Sequence, residues 1–245
     1  MSAIPPPGRL LVGCAGWNVY KESAAAFPAA GSHLERYAAV FPAVEINTSF
    51  YRPHQPQTYL RWSESVPDDF RFAVKLPRAI THDARLFEVG EQLDRFAREA
   101  RMLGDKLGCL LVQLPPKFGF TDEPARSFFR QLHELFGCMI AFEARHPSWF
   151  SDPATALLRE RGVTRVIADP AAGQPGPHVP TSDTSVYVRL HGSPRIYYSR
   201  YPRDYIDQLR RELDAQVAAG RTCWCIFDNT AAFASVPNAL ELLHG

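Results

Sequence analysis

Eight runs along the chain carry the apolar alternation, or the short apolar saturation, of a strand half or wholly buried in a sheet. They are "LLVGCAG" (10–16), "AVEIN" (43–47), "FRFAVKL" (70–76), "CLLVQL" (109–114), "CMIAFE" (138–143), "VTRVIAD" (163–169), "VYVRLHG" (186–192) and "TCWCIFD" (222–228). Between most of them the apolar period lengthens to that of a helix, over 33–40, 56–66, 88–103, 123–136, 152–161 and 204–219, and a last helical stretch at 231–243 closes the chain. Strand and helix in alternation predict a parallel sheet with helices outside, and eight units are the number that closes a (β/α)8 TIM-type barrel. An open doubly wound sheet is the competing arrangement, but "GCAGW" after the first strand lacks the glycine spacing of a dinucleotide or phosphate loop. The sixth unit is irregular. Its connection, "PAAGQPGPHVPTSDTS", holds Pro, Gly and Ser with no apolar helical period, so a loop is expected in place of the sixth helix. Neither a repeat nor a linker interrupts the pattern, and one domain over 1–245 is expected.

The polar exceptions to this pattern fall at strand ends. Glu45 and Asn47 end the second strand, Lys75 the third, Gln113 the fourth, and Glu143 with Arg145 and His146 the fifth. Asp169 ends the sixth, Arg189 and His191 the seventh, Asp228 and Asn229 the eighth. Val74, Val112, Phe142, Val188 and Leu190 take the opposite parity, as a helix-facing surface requires. In a barrel of this kind active sites collect at the C-terminal ends of the strands, so independent strands aim charge at one mouth. The competing reading is a structural ion-pair network. Against it, breaking one buried partner costs several kcal/mol, and apolar packing would serve stability as well.

Charge changes this picture little: Lys plus Arg is 27 against 26 for Asp plus Glu, which gives no overall drive toward nucleic acid or an acidic membrane. Lysine is scarce, with Lys21, Lys75, Lys106 and Lys117 alone, so a lysine at a strand end stands out. The five cysteines are odd in number and sit in or beside apolar runs, where a free thiol packs as a small hydrophobe. "CWC" at 223–225 matches neither a redox CxxC nor a zinc-finger pair. With no basic, apolar leader in "MSAIPPPGRLLVGCAG" and no run of membrane-spanning length, a cytoplasmic protein is expected.

"GCAGW", "VEINTSFY", "FRFAVKLP" with Thr81 and His82 beyond it, "LGCLLVQLPPKF", "FEARHPSW", "VYVRLHG" and "FDN" resemble, in order, the motifs of the domain-of-unknown-function family 72, the YecE-like proteins. The resemblance spans essentially the whole chain. It implies a (β/α)8-type barrel with a polar cavity at the strand ends, lined here by Trp17, Glu45, Asn47, Tyr51, Lys75, His82, Gln113, Glu143, Arg145, His146, Trp149, Arg189 and His191. It implies no reaction. The chain departs from the family pattern in the Asn-Thr-Ser order of "EINTSF" and in Asp228, where an asparagine is usual.

Three chemistries fit these residues. The first, metal-free and without a cofactor, pairs Glu45 and Glu143 as acid and base on a sugar-like or anionic small substrate, in a hydrolase or isomerase. Ring geometry leaves roughly 6 Å between the two carboxylates, which lies between retaining and inverting glycosidase separations. Lys75 would hold a carboxylate ionised or act as a base, Arg145 and Arg189 would clamp an anion, and Trp17, Tyr51 and Trp149 would supply stacking walls. The second places a divalent metal on Glu143, Asp169, His191 and Asp228, in a phosphodiester or sugar enzyme of the endonuclease-barrel type. Arg145 and Arg189 oppose a cation there, and His146 beside Pro147 reads as a loop hydrogen-bonding residue. The third is nucleic-acid binding through "HGSPRIYYSRYPRDY", in which Arg195, Arg200 and Arg203 interleave with Tyr197, Tyr198 and Tyr201; alternatively those tyrosines form a lid over the cavity.

Overall fold

A computed structural model describes residues 8–245, so the start of the expected leaderless segment lies outside the described residues. The strands are β1 (Arg9–Cys14), β2 (Ala43–Ile46), β3 (Arg71–Lys75), β4 (Leu107–Gln113), β5 (Met139–Glu143), β6 (Thr164–Arg165), β7 (Ile167–Asp169), β8 (Ser185–Leu190) and β9 (Thr222–Phe227). All pair in parallel, in the orders β2-β3-β4-β5-β6 and β1-β9-β8-β7.

Two seams join these sheets into one ring. At the first, Ala15 bridges Glu45 and the Gly16 amide donates to the Glu45 carbonyl at 2.9 Å. At the second, β6 and β7 are halves of the expected sixth strand: the first half pairs with β5, the second with β8, and the intervening Val166 amide donates to the Phe142 carbonyl at 2.9 Å. The result is the expected (β/α)8 TIM-type barrel.

Outside the ring run α1 (His33–Ala38), α2 (Pro56–Glu64), α3 (Gly90–Ala100), α4 (Asp122–Leu135), α5 (Asp152–Glu160), α6 (Arg203–Ala218) and α7 (Ser235–His244). Their starts follow local chemistry. Ser32 and Glu35 form a reciprocal capping box on α1, proline opens α2 and α5, and Asp122 and Glu123 place negative charge on the first turn of α4. The stretch 170–184 contains no helix, as its composition predicts. Among the described residues no helix is long and apolar enough to cross a membrane.

Alternation divides the core in two. Val44, Ile46, Phe72, Val74, Leu110, Val112, Phe142 and Leu190 face the helices. Inside the ring, small residues at Ala43, Ala73 and Ala141 leave room for the large Tyr187 and Trp224. Gly13 serves the first seam, because a Cβ there would lie 2.1 Å from the Ala43 carbonyl oxygen. Gly13→Ala is therefore expected to push β1 off β2 and cost about 1–3 kcal/mol, as overpacking does. Urea unfolding checks this, and an unchanged midpoint would mean that the seam tolerates the added methyl.

Candidate active site at the strand ends

The inward column of each strand changes character as it rises. Ala43, Ala73, Leu111, Ala141, Tyr187 and Ile226 belong to the apolar interior. Two residues further along the same parity stand Glu45, Lys75, Gln113, Glu143, Arg189 and Asp228, and His191 lies two beyond Arg189. All seven are buried. Period-2 geometry thus delivers the charges expected at the C-terminal mouth, and for all of them except Lys75 the cost of burial is offset by pairing.

Arg189 is the hub. Its Nε and Nη2 donate to the two oxygens of Glu45 at 2.9 and 2.6 Å, Nη1 donates to Glu143 at 2.7 Å, and Nη2 also reaches Asp228 at 3.0 Å. The hydroxyl of Tyr187 donates to Glu45 at 2.9 Å. On the other side of Glu143, the Nε and Nη2 of Arg145 lie 3.1 and 2.9 Å from Oε1. His191 stands between Glu143 and Asp228, with Nε2 at 3.2 Å from one and Nδ1 at 3.0 Å from the other.

This geometry corrects two expectations. The gap between Glu45 and Glu143 holds the guanidinium of Arg189, so in this arrangement no substrate lies between the two carboxylates. Arg189 in turn is spent on the protein's own carboxylates and is not free to clamp an anion. Burial pushes the Glu143 and Asp228 carboxyls up, but Arg189 and His191 outweigh it and hold Glu143 well below the usual carboxylate range, with Asp228 lowered as well. Glu143 is therefore an ionised anchor, unsuited to donating a proton. Burial lowers the His191 imidazole, yet its bonds to Asp228 and Glu143 prevail and raise it, which favours the imidazolium donating to both.

Lys75 differs from its neighbours. Its ammonium lies 4.3 Å over the centre of the Phe50 ring and, among the described residues, has no carboxylate within 4.0 Å. Burial and the nearby Arg189 bring it down from 10.5 to about 8, although Glu45, Asp228 and Glu143 pull the other way. His82 stacks edge-on against the other partner of this group, Phe50, at 4.9 Å, and its Nδ1 meets Thr81 at 3.0 Å.

The remaining expected residues divide. Asn47, His82 and Arg145 are half-buried around the mouth and Tyr51 is exposed at its rim, whereas Trp17, also half-buried, lies edge-on 5.0 Å from Trp62 of α2. The Oδ1 of Asn47 is buried without a hydrogen-bond partner. Trp149, expected as a stacking wall, is core: it packs on Phe118, Phe120 and Phe142 and its indole N–H donates to the Phe118 carbonyl at 2.9 Å. His146 is also structural, since its Nδ1 meets the Ser148 hydroxyl at 2.8 Å and accepts the Ser148 amide at the start of a short 3-10 turn.

Of the four residues considered for a divalent metal, Glu143, His191 and Asp228 come together and Asp169 is held apart. Asp169 accepts the Tyr201 hydroxyl at 2.8 Å, both nitrogens of His191 face carboxylates, and the positive charge beside Glu143 and Asp228 is a guanidinium. Among the described residues no group of three or more His, Cys, Asp or Glu side chains is arranged to hold an ion. In the segment after β8, Arg200 pairs with Glu241, Arg203 with Asp207, and Tyr201 is buried. Arg195 stacks on exposed Tyr198, and Tyr197, with φ +69°, lies edge-on 6.0 Å from His191. Tyr187 is the site residue the sequence reading missed, although it shares the inward parity of Arg189 and His191.

Comparison with known proteins gives a consistent set. A family model described as "Protein of unknown function DUF72" matches residues 11–244. The UPF0759 protein YecE of Escherichia coli K12 is 37% identical over 142 residues, covering 56% of this chain and 52% of that protein, so the match spans about half the length of that relative. The UPF0759 protein YunF of Bacillus subtilis is 23% identical over 263 aligned positions, covering 96% and 93%. Among solved structures, a DUF72 family protein of Thermotoga maritima superposes with a TM-score of 0.79 at 24% identity, over 96% of this chain and 97% of that one. One from Enterococcus faecalis gives 0.80 at 22%, over 96% and 94%. SacUVDE gives 0.55 at 8% identity, over 97% of both chains, a likeness of fold alone.

Proposed function

The chain belongs to the DUF72 family, whose model it matches from residue 11 to residue 244, and from the site its barrel carries we propose an enzyme in which Lys75 is the acid/base group acting on a small anionic, sugar-like substrate. The observation that carries this is the lone ammonium. Each carboxylate of the cluster already accepts hydrogen bonds from Arg189, Arg145, His191 or Tyr187, whereas Lys75 sits among them with no ion-pair partner among the described residues. An amine brought down to about 8 exchanges a proton near neutral pH, which is what a general base or acid requires.

The surroundings give each rim residue a role. Arg145 is tied to Glu143 through Nε and Nη2, which leaves Nη1 and the half-buried edge of the guanidinium for an anionic group. Trp17 and Tyr51 offer aromatic faces to a sugar-like ring, and the unpaired Oδ1 of Asn47 accepts from a hydroxyl. Arg189, with Glu45, Glu143 and Asp228, acts as the fixed electrostatic floor, and His191 with Tyr197 closes the site. Proton transfer by one amine next to a clamped anion suits an isomerase or a hydrolase.

Competitive acetylation followed by mass spectrometry tests this, since the chain has only four lysines to resolve. Lys75 is expected to titrate at about 8 and to be protected by sugar phosphates or uronic acids. Titration near the ordinary lysine value of 10.5, with no protection by such anions, would reject the assignment. Arg145→Met is expected to remove the protection while leaving the titration of Lys75 in place.

A further inference from the structure

The missing sixth helix leaves space that the chain does not fill. Against α6, the outer faces of β7 and β8 and the 178–182 segment enclose a cavity of about 180 Å³. Its walls are apolar where barrel and helix meet, at Ile167, Val186, Val188, Leu209 and Leu213.

Arg165 and His178 also line this cavity, and both are incomplete. Arg165 is 2% exposed. Its Nη1 donates to the Val179 carbonyl at 3.0 Å, and Nη2 to the Trp149 carbonyl at 3.0 Å and the Thr155 hydroxyl at 2.8 Å. Every one of these acceptors is neutral. The Nε of Arg165 is buried without an acceptor, and so is the Nδ1 of His178. Among the described residues Arg165 has no carboxylate within 4.0 Å, in contrast with Arg189, which touches Glu45, Glu143 and Asp228. A buried cation without a counter-charge is costly, and a bound anion is one way to offset that cost.

We propose that this cavity binds a small monocarboxylate with an apolar body, whose carboxylate accepts from Arg165 Nε and His178 Nδ1 while its body packs on Val188, Leu209 and Leu213. The apolar walls ask for more than an inorganic ion. Glu212, which also lines the cavity, disfavours a dianion such as a phosphate ester. The volume lies below the roughly 300–1,000 Å³ of pockets for drug-sized ligands, which limits the body to a few carbons. The site lies on the outer face of the barrel, whereas Lys75 points into it, so this assignment stands apart from the proposed function.

Titration calorimetry and thermal shift on the full chain test it, with isovalerate as probe, isoamyl alcohol as the uncharged control and inorganic phosphate as the bare-anion control. Isovalerate at millimolar concentration is expected to bind and raise the melting temperature, and the alcohol is not. Arg165→Met is expected to abolish the effect. Should that variant fail to fold, His178→Leu decides, because it leaves the three bonds of Arg165 intact and is expected to weaken binding about tenfold. No binding of isovalerate would mean that the cavity holds water only and would overturn the proposal. So would equal binding of the alcohol, tighter binding of phosphate, or an unchanged affinity in His178→Leu.

Discussion

Arg189→Met is expected to cost about 3–5 kcal/mol of stability, the range for breaking a buried ion pair from one side. For a chain of this size that lowers the melting temperature by roughly 10 °C or more. The reason is local. Glu45 is fully buried and receives two of its hydrogen bonds from Arg189 and the third from Tyr187. Without the guanidinium, Glu45, Glu143 and Asp228 crowd one mouth with only Arg145, His191 and Lys75 to balance them. The double variant Arg189→Met/Glu45→Gln removes one of the stranded charges, so it is expected to be less destabilised than the sum of its single changes, by about 1–3 kcal/mol. Strict additivity in circular-dichroism melts would show that Arg189 does not act as the hub. The same geometry explains why Glu143→Gln is a poor probe of chemistry. It takes away the negative charge that four donors share and turns the oxygen facing Arg189 into an amide donor, so lost turnover and lost folding would arrive together.

Much of this site could be read from the chain because period-2 alternation is a strict rule. Once eight strands are marked, Glu45, Lys75, Gln113, Glu143, Arg189 and Asp228 are forced to one parity, and the strand ends supply the height. What alternation does not give is pairing. Three carboxylates and several cations were visible at the mouth, but whether Arg189 faces a ligand or Glu45 depends on side-chain reach of an ångström or two. Tyr187 escaped because a tyrosine in a strand is an ordinary β-former; only its shared parity with Arg189 marks it. Asp169 ends its strand as expected, yet Tyr201, which arrives from the loop before α6, captures it. Trp149 follows a site strand in sequence but turns back onto Phe142, the outward neighbour of Glu143. Element ends drifted for a similar reason. The helix expected over 88–103 is α3 up to Ala100 and then a tighter turn to Lys106 with Gly104 at φ +57°, a conformation that propensity along the chain does not fix.

Lys75→Met separates a catalytic amine from a structural one, because the two readings give opposite signs. The ammonium is brought down from 10.5 to about 8. An unfolded lysine keeps its proton up to the higher value, so between the two the unfolded chain binds more protons and stability rises with pH. Below pH 8 both states are protonated and the full penalty of burying the charge is present, about 3 kcal/mol for a shift of this size. Methionine fills similar volume without the charge. The variant is therefore expected to be more stable than the parent at pH 7, by up to about 3 kcal/mol, with the advantage fading as the pH climbs from about 8 to 10.5. Urea titrations of both proteins across that window measure the difference directly, and groups common to the two cancel. A parent more stable than the variant at neutral pH would make Lys75 a member of a stabilising network and remove the ground for its acid/base role. A stabilised variant that still binds anionic sugars but no longer turns them over would mean that the barrel keeps Lys75 at a cost in stability, for the chemistry of its free amine.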